Sequence, residues 1–288
     1  MKIQKINRQS IGISGFTSVL NHIHLPPNTL YYKGSLPAER IKTVAIVGSR
    51  KPTPYGVAVT HRLAYDLAKQ GIIIVSGLAY GVDAIAHKAA LEAGGVTIAV
   101  LAGGLHRVYP AGHAKLAEQI LQKGGALISE KEPGVEARPY DFLARNRIVS
   151  GLADAIIVTE ATERSGTLST VGHALEQNKE VFAVPGPVTS LVSVGPNRLI
   201  QQGAHVALSA EDILHVIAPE LTLQQSLLPL GDTPDEVHII TLIQSGVGEG
   251  DELLKRTKLS AGEFSQLLTM MELKGLIESA GGNRWMLR

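Results

Sequence analysis

The sequence predicts an α/β protein with a doubly wound, mostly parallel sheet, followed by a small winged-helix domain. Three observations predict this fold. From Thr43 onward, short and continuously apolar runs alternate with longer helix-like segments, as in parallel strands that are covered on both faces. Glycine follows several of these runs, which is typical of turns between strands and helices. A proline-interrupted stretch at 219–233 then separates this pattern from three helix-like segments and a hairpin pattern.

Strands and helices alternate regularly along the first part of the chain. The predicted strands are 43–48, 72–76, 97–101, 126–129, 155–159, 181–184 and 205–208. The predicted helices are 55–70, 82–93, 114–123, 142–150, 166–177 and 197–202. Repeated strand, helix and strand units with short loops indicate an extended Rossmann-like sheet, and such sheets bind ligands at the carboxyl ends of their strands.

The sequence predicts four segments in chain order. They are a short N-terminal extension at 1–40, the Rossmann-like domain at 41–218, a linker at 219–233 and the winged-helix domain at 234–288. The last domain is predicted from three helices and two hairpin strands, at 234–244, 250–257, 261–274, 275–278 and 284–287. Ser260 is the predicted N-cap of the third helix.

The composition excludes several classes of site. The 288 residues include no cysteine, which excludes disulfides, a thiol nucleophile and cysteine-bound zinc or iron–sulfur centres. No stretch reaches the roughly 18 uninterrupted apolar residues of a membrane span, and the charged first residues lack a following apolar region. We therefore expect a cytoplasmic protein without membrane contact.

Charge is distributed unevenly along the chain. The formal net charge is +1, but residues 232–288 contain 6 Lys and Arg against 9 Asp and Glu, net −3, which leaves net +4 for residues 1–231. The third helix of the predicted winged-helix domain offers only Lys274 as a cation and carries Glu263 and Glu272. Because acidic side chains repel the phosphate backbone, a protein-contact or regulatory role is favoured over duplex DNA binding for this domain.

A first group of candidate phosphate ligands follows the strand at 43–48. Gly48 leaves main-chain amides open, Ser49 adds a hydroxyl, and Arg50 adds a guanidinium that can bind two phosphate oxygens. The next helix begins near Tyr55, and the amino-terminal end of a helix favours anions. The spacing matches neither the Walker A loop nor the dinucleotide-binding glycine pattern. We therefore interpret this segment as a phosphate site of another kind.

A second group of cationic residues lies within a predicted helix. Arg145, Asn146 and Arg147 follow one another there. Two helical residues that are two positions apart point about 200° away from each other. We therefore expect one arginine to face a ligand and the other to pack or pair internally, and the sequence leaves open which one does so.

A third group opens the helix predicted at 166–177. Ser165, Gly166 and Thr167 follow a strand directly, so their hydroxyls and amides are expected at the anion-binding end of a helix. Lys115 is a further candidate cation near the loop that contains Tyr109 and Pro110. Aromatic residues make up only 4% of the chain, which argues against repeated base stacking.

Other sequence patterns give weaker indications of a binding or catalytic site. Tyr55, Tyr109 and Phe142 can each receive a single base. Asp83 and His87 stand four residues apart on one predicted helix face, and a structural contact between them is favoured over a metal site or an acid–base pair, because no third partner is evident. The chain lacks a G-x-S-x-G elbow. We expect no catalytic residue, no metal and no cofactor.

Seven short motifs occur in a fixed order. They are Val-Gly-Ser-Arg at 47–50 with Tyr-Gly at 55–56, Ser-Gly-Leu-Ala-Tyr-Gly-Val-Asp at 76–83 with His87, Gly-Gly-Leu at 103–105 with Tyr-Pro at 109–110, Ile-Ser-Glu at 128–130, Arg-Asn-Arg-Ile at 145–148, Ser-Gly-Thr-Leu at 165–168 and Ala-Val-Pro-Gly at 183–186. Together they resemble the DprA/Smf family of bacterial DNA-processing proteins. The resemblance extends from about residue 26 to 218, and the C-terminal segment is similar to the winged-helix tail of the family.

This resemblance implies an extended Rossmann fold, a homodimer, sequence-tolerant binding of single-stranded DNA and loading of the recombinase RecA during natural transformation. It implies that the segments 48–50, 145–147 and 165–167 form a positively charged DNA pocket, with Lys115 assigned by position alone. The chain departs from the family pattern at His106, where the family usually has Asp, and at His113, where it usually has Asn. Family members often begin with a helical domain, which we expect to be absent or vestigial here.

Two other functions remain open. An enzyme similar to the nucleoside-monophosphate phosphoribohydrolases would hold a mononucleotide at the same rim, but those enzymes have a Pro-Gly-Gly-x-Gly-Thr turn where this chain has Glu-Arg-Ser-Gly-Thr at 163–167. A transcription regulator would bind duplex DNA with its winged helix, which the net charge of residues 232–288 disfavours. We therefore predict a protein that is not an enzyme, binds and protects incoming single-stranded DNA, and loads RecA onto it.

Overall fold

The computed structural model describes residues 5–10, 15–221, 233–257 and 259–287. The chain divides into two compact units, Met1–Thr222 and Leu223–Arg288. The predicted linker at 219–233 lies for the most part outside the described residues, and the predicted domain boundaries remain predictions.

A mostly parallel sheet forms the centre of the first unit. Its strands, as far as the chain is described, are β1 (Asn7–Ser10), β2 (Thr29–Gly34), β3 (Thr43–Val47), β4 (Ile73–Ser76), β5 (Thr97–Val100), β6 (Ala126–Ser129), β7 (Ala155–Val158), β8 (Glu180–Ala183) and β9 (His205–Val206). The spatial order is β1-β2-β6-β5-β4-β3-β7-β8-β9. The strands from β3 to β9 pair in parallel, while β1 and β2 pair antiparallel. The predicted doubly wound α/β fold is confirmed.

Helices cover both faces of this sheet. They are α1 (Pro54–Lys69), α2 (Val82–Glu92), α3 (Ala114–Gln122), α4 (Pro139–Leu152), α5 (Thr167–Glu176), α6 (Val194–Gln201) and α7 (Ala210–Ile217). Apolar residues of α4, α5 and α6 pack on one face, and those of α1, α2 and α7 pack on the other. Among the described helices, none is long and apolar enough to cross a membrane.

Among the described strands and α-helices of the first unit, three are not predicted from the sequence. β1 and β2 lie within the predicted extension at 1–40 and continue the sheet beyond β6. β1 consists of polar residues that alternate between half-buried and exposed positions, so it lacks the apolar run that marks the central strands. Helix α7 begins with a capping box between Ser209 and Asp212.

The described residues of the second unit form three helices and a hairpin. They are α8 (Pro234–Gln244), α9 (Gly250–Thr257), α10 (Ala261–Leu273), β10 (Ile277–Gly281) and β11 (Arg284–Leu287). Ser260 caps α10 as predicted, accepting a hydrogen bond from the Glu263 amide while the Glu263 carboxylate accepts one from the Ser260 amide. β10 begins two residues later than predicted, since Gly275 adopts a φ of 71° that ends the preceding helix. The predicted winged-helix arrangement is confirmed.

The predicted contact between Asp83 and His87 is wrong. Asp83 lies in the first turn of α2 and accepts hydrogen bonds from the amides of Gly77 and Ala79, at 3.0 and 3.2 Å. His87 lies one turn later and is fully buried. Its Nδ1 lies 2.6 Å from Thr97 Oγ1.

The hydrogen bonds of Thr97 fix the tautomer of His87. The Thr97 hydroxyl donates to the Ile74 carbonyl at 2.7 Å, so Thr97 Oγ1 accepts a hydrogen bond from the protonated Nδ1 of His87. Nε2 of His87 is buried without a hydrogen-bond partner among the described residues. Burial lowers the pKa of His87 from 6.5 to about 3, and the charges of His113 and Arg145 act in the same direction.

The fold is expected to lose stability in mild acid through His87. Since the folded-state pKa lies below the unfolded value, the unfolded chain binds more protons between pH 6.5 and about 3. This group alone should lower the unfolding free energy by about 2 kcal/mol from pH 7 to pH 5. Urea unfolding at both pH values measures this loss. The His87→Gln variant should lose about 2 kcal/mol less than the wild type, and an equal loss would contradict the assignment.

Candidate functional site

A cavity of about 220 Å³ lies at the carboxyl ends of the central strands. We call it the polar pocket. It brings together residues from all three predicted groups, namely Gly48, Arg50, Arg145, Asn146, Ser165, Gly166 and Thr167. Gly77, Ala79, Asp83 and Phe142 also line it. Ligand sites of open α/β sheets are expected at this edge.

The loop between β3 and α1 is fixed by Glu160, which follows β7. The Ser49 amide donates to the Glu160 carbonyl at 2.6 Å. The amide and the hydroxyl of Thr53 donate to the Glu160 carboxylate at 2.8 and 2.5 Å. Thr53 in turn caps α1 by accepting a hydrogen bond from the Gly56 amide. The buried carboxylate of Glu160 therefore shapes the loop that carries Arg50.

Arg50 and Ser49 differ in their availability to a ligand. Arg50 is exposed and lines the polar pocket. Across the described part of the chain, its guanidinium pairs with no carboxylate. The Ser49 hydroxyl accepts a hydrogen bond from the Lys51 amide at 3.1 Å, and Ser49 does not line the pocket.

The two arginines of α4 point to different places. Arg145 is only 8% exposed, and its Nη1 donates to the carbonyl of Gly77 at 2.9 Å and to the carbonyl of Val100. Arg147 lies outside the pocket, because its Nη2 donates to both carboxylate oxygens of Glu130 at 2.7 and 2.8 Å. Of the two, Arg145 therefore lines the polar pocket.

Opposing effects set the pKa values of Arg145 and Asp83, two buried residues that line the pocket. Burial lowers the pKa of Arg145 to about 10, and the charge of Arg50 adds to this, while Asp83 opposes it. Arg145 therefore stays protonated at neutral pH. Burial raises the pKa of Asp83, while Arg145 and the amides of Ala79 and Gly77 act in the opposite direction. The side chains of Arg50 and Arg145 thus share the pocket with one buried carboxyl group, that of Asp83.

The start of α5 closes the pocket. The Thr167 hydroxyl donates to the Gly48 carbonyl at 3.1 Å, and the Ser165 hydroxyl donates to Thr167 Oγ1 at 2.9 Å. The Asn146 side-chain amide lies 3.5 Å from the Gly166 carbonyl. These contacts connect all three predicted groups, while Lys115 is exposed on α3 and lies outside the pocket.

The sequence places Gly77 among the glycines that follow strands at the rim, without a specific role, and sequence reasoning did not identify Glu160 as part of the site. Gly77 has no side chain, and a Cβ at this position would collide with the guanidinium of Arg145. Its position directly after a strand was the available signal. Glu160 lies two residues after the end of β7 and is 1% exposed, but an acidic residue in this position gives no sign in the sequence that it binds the Thr53 amide.

Family comparisons match both units of the chain. Residues 10–218 match the family model described as DNA recombination-mediator protein A. Residues 224–283 match the model described as the DprA winged helix domain. The chain belongs to the DprA/Smf family.

Individual DprA and Smf proteins are similar to this chain. Protein Smf of Escherichia coli is 45% identical over 209 residues, which cover 73% of this chain and 54% of Smf. The DNA processing protein DprA of Bacillus subtilis is 41% identical over 222 residues, which cover 77% of this chain and 74% of that protein. The chain thus spans about half the length of the Escherichia coli relative.

Two solved DprA structures have the same fold. The X-ray structure of Streptococcus pneumoniae DprA has a TM-score of 0.68 at 38% identity and covers 75% of this chain and 76% of that one. A Helicobacter pylori DprA structure is described for its single-stranded DNA binding mode. It has a TM-score of 0.64 at 30% identity, and the match covers 78% of this chain and 98% of that one.

The Glu160→Gln variant should lower the unfolding free energy by about 1–3 kcal/mol, because one of the two carboxylate oxygens that accept from Thr53 is replaced by an amide nitrogen, which cannot accept. Urea unfolding measures this change. Glu163→Gln is the matched control, since Glu163 is exposed and pairs with Arg198 at the surface. It should change the unfolding free energy by less than about 1 kcal/mol. Equal effects of the two variants would contradict the positioning role of Glu160.

Proposed function

We propose that this chain binds single-stranded DNA in the cytoplasm, protects incoming strands and loads RecA onto them during natural transformation. The observation that carries the proposal is the convergence of Arg50, Arg145 and the start of α5 on one polar pocket. These groups suit a phosphate of the DNA backbone. Because every nucleotide carries the same phosphate, binding through such contacts tolerates any sequence.

The pocket offers two different kinds of cation. Arg145 is held by two backbone carbonyls, so little conformational entropy is lost when it meets a phosphate. Arg50 is exposed, so its guanidinium can reorient to donate hydrogen bonds to two phosphate oxygens. The amino-terminal end of α5 adds main-chain dipoles that favour an anion.

Binding is favoured over catalysis by the state of the nearby carboxylates. Asp83 accepts hydrogen bonds from two backbone amides, and Glu160 accepts two from Thr53. Both carboxyl groups are buried and occupied in holding loops, which disfavours the role of a general acid or base in nucleotide hydrolysis. Helicobacter pylori DprA is described for its single-stranded DNA binding mode. This similarity also supports binding rather than catalysis.

The proposal includes a homodimer and a protein-contact role for the second unit. β9 is the last strand in the order of the main sheet, and Val206 and Leu208 are exposed there. An unpaired edge strand with apolar residues is suited to a second copy of the chain. In the second unit, the net charge of −3 over residues 232–288 favours a protein partner over DNA.

The Arg50→Ala variant should bind a labelled oligo(dT) strand more weakly than the wild type, because one phosphate contact is lost. The slope of log affinity against log salt should become shallower by about 0.7. Fluorescence anisotropy across a salt series measures both quantities, and the wild type should prefer the single strand to a matching duplex.

Arg62→Ala is the matched control for this experiment. Arg62 lies on α1, about 12 Å along the helix from Pro54, and its side chain is exposed. This variant should keep both the affinity and the salt slope. If Arg50→Ala folds normally and binds as tightly as the wild type, the assignment of the phosphate pocket is wrong.

RecA loading is expected to depend on the same pocket. The wild-type protein should increase the rate at which RecA assembles on single-stranded DNA, measured as DNA-dependent ATP hydrolysis by RecA. Arg50→Ala should reduce this increase in proportion to its lost DNA affinity, and Arg62→Ala should preserve it. No increase by a wild-type protein that binds the strand would contradict RecA loading while leaving DNA binding intact.

A further inference from the structure

The turn between β4 and α2, at residues 77–81, forms part of the wall of the polar pocket. Gly77 and Ala79 line the pocket. Leu78, which lies between them, has a φ of 58° and is fully buried. This left-handed backbone conformation is unfavourable for a residue with a side chain. Contacts from the surrounding structure must therefore hold the turn in place.

His113 holds this turn from outside the pocket. It directly precedes α3 and does not line the polar pocket. Its Nδ1 lies 2.8 Å from the carbonyl oxygen of Leu78. Because a carbonyl oxygen only accepts hydrogen bonds, the imidazole donates from a protonated Nδ1. This hydrogen bond therefore joins the residue with the unfavourable backbone conformation to the start of α3.

A ring contact adds to this hydrogen bond. The ring centroids of His113 and Tyr80 lie 4.7 Å apart with an interplanar angle of 64°. The preceding residue, Gly112, lies against the same tyrosine, since a Cβ there would come within 3.0 Å of the hydroxyl oxygen. The segment before α3 thus contacts the turn at both Leu78 and Tyr80.

The far end of the turn packs against the loop that carries Arg50. Gly81 has a φ of 78°, and a Cβ at this position would collide with the backbone of Ser49 and Arg50. The Val82 amide donates to the Ser49 carbonyl at 3.1 Å. Closely packed backbone segments transmit a displacement instead of absorbing it. A shift of the turn therefore also shifts Arg50.

We propose that His113 is a positioning residue for phosphate binding, which acts through the turn at 77–81 on the loop that carries Arg50. This inference rests on the proposed function, since it concerns an arginine that binds a DNA phosphate. No contact between His113 and DNA is required. By holding the Leu78 carbonyl, His113 keeps the turn against the loop and the Arg50 guanidinium at the polar pocket.

The His113→Ala variant should bind labelled oligo(dT) about threefold to tenfold more weakly than the wild type, which corresponds to the loss of one hydrogen bond. Fluorescence anisotropy measures the affinity, and circular dichroism shows that the variant is folded. His61→Ala is the matched control. The His61 side chain is 45% exposed on α1, and its Nε2 lies 2.6 Å from the Glu92 carboxylate at the surface. This control should keep the wild-type affinity.

Two further substitutions separate the hydrogen bond from the ring contact. The amide nitrogen of asparagine stands as far from Cβ along the side chain as Nδ1 of histidine, so His113→Asn can still donate to the Leu78 carbonyl. It should bind oligo(dT) within about twofold of the wild type. His113→Phe keeps a ring beside Tyr80 but has no donor, so it should bind as weakly as His113→Ala. If His113→Asn lost as much affinity as His113→Ala, the role of the hydrogen bond would be wrong.

A double variant distinguishes positioning of Arg50 from a general effect on the fold. Once Arg50→Ala has removed the guanidinium, the position of this loop no longer matters for phosphate binding. Adding His113→Ala to Arg50→Ala should therefore cause no further loss of affinity. A merely structural role predicts the same loss in both backgrounds, and that result would overturn the proposal.

Failure of this inference is distinguishable from failure of the proposed function. If Arg50→Ala weakened binding while His113→Ala bound oligo(dT) as tightly as the wild type, the positioning role would be overturned and DNA binding would stand. If the wild type bound no oligo(dT) at low salt, the proposed function itself would be contradicted.

Discussion

The buried guanidinium of Arg145 holds the ends of two central strands, and the geometry of the whole site depends on it. It donates to the carbonyl of Gly77 directly after β4 and to the carbonyl of Val100 at the end of β5. Asp83 accepts hydrogen bonds from the amides of Gly77 and Ala79 in the same turn. A buried polar or charged group is tolerated only when its hydrogen bonds are satisfied, and both side chains meet this condition at the backbone of the strand ends. Arg145 and Asp83 therefore couple the positions of α4 and α2 to the strand ends.

This arrangement places a fixed cation in the wall of the polar pocket. The guanidinium of Arg145 reaches the strand ends because Gly77 has no side chain to block it, and in that position it lines the pocket. The other lining groups include the exposed Arg50 and the hydroxyls and amides at the start of α5.

The central strands could be predicted from the sequence because all residues of β3 to β7 are buried, which requires continuous apolar runs. β1 could not be predicted, because the sequence of a polar edge strand, whose residues alternate between half-buried and exposed, resembles that of a loop. The candidate residues on loops after strands were predictable for the same topological reason. The separate roles of Arg145 and Arg147 could not be predicted. The helical period shows that the two side chains point in different directions, but it does not show how α4 is rotated against the sheet. Glu130 and the carbonyls of Gly77 and Val100, which decide their roles, are distant in sequence.

The two units of the chain differ in net charge. On α10 the exposed face includes Met270 and Leu273, the latter 77% exposed, together with the acidic Glu263 and Glu272. Such a face attracts no phosphate, and an apolar helix face of this kind suits a protein partner. Residues 1–231 carry only net +4, too little to coat the unit with positive charge. Under the proposed function, attraction for the DNA backbone is therefore local, and within the described residues the pocket where Arg50 and Arg145 meet the start of α5 is suited to it.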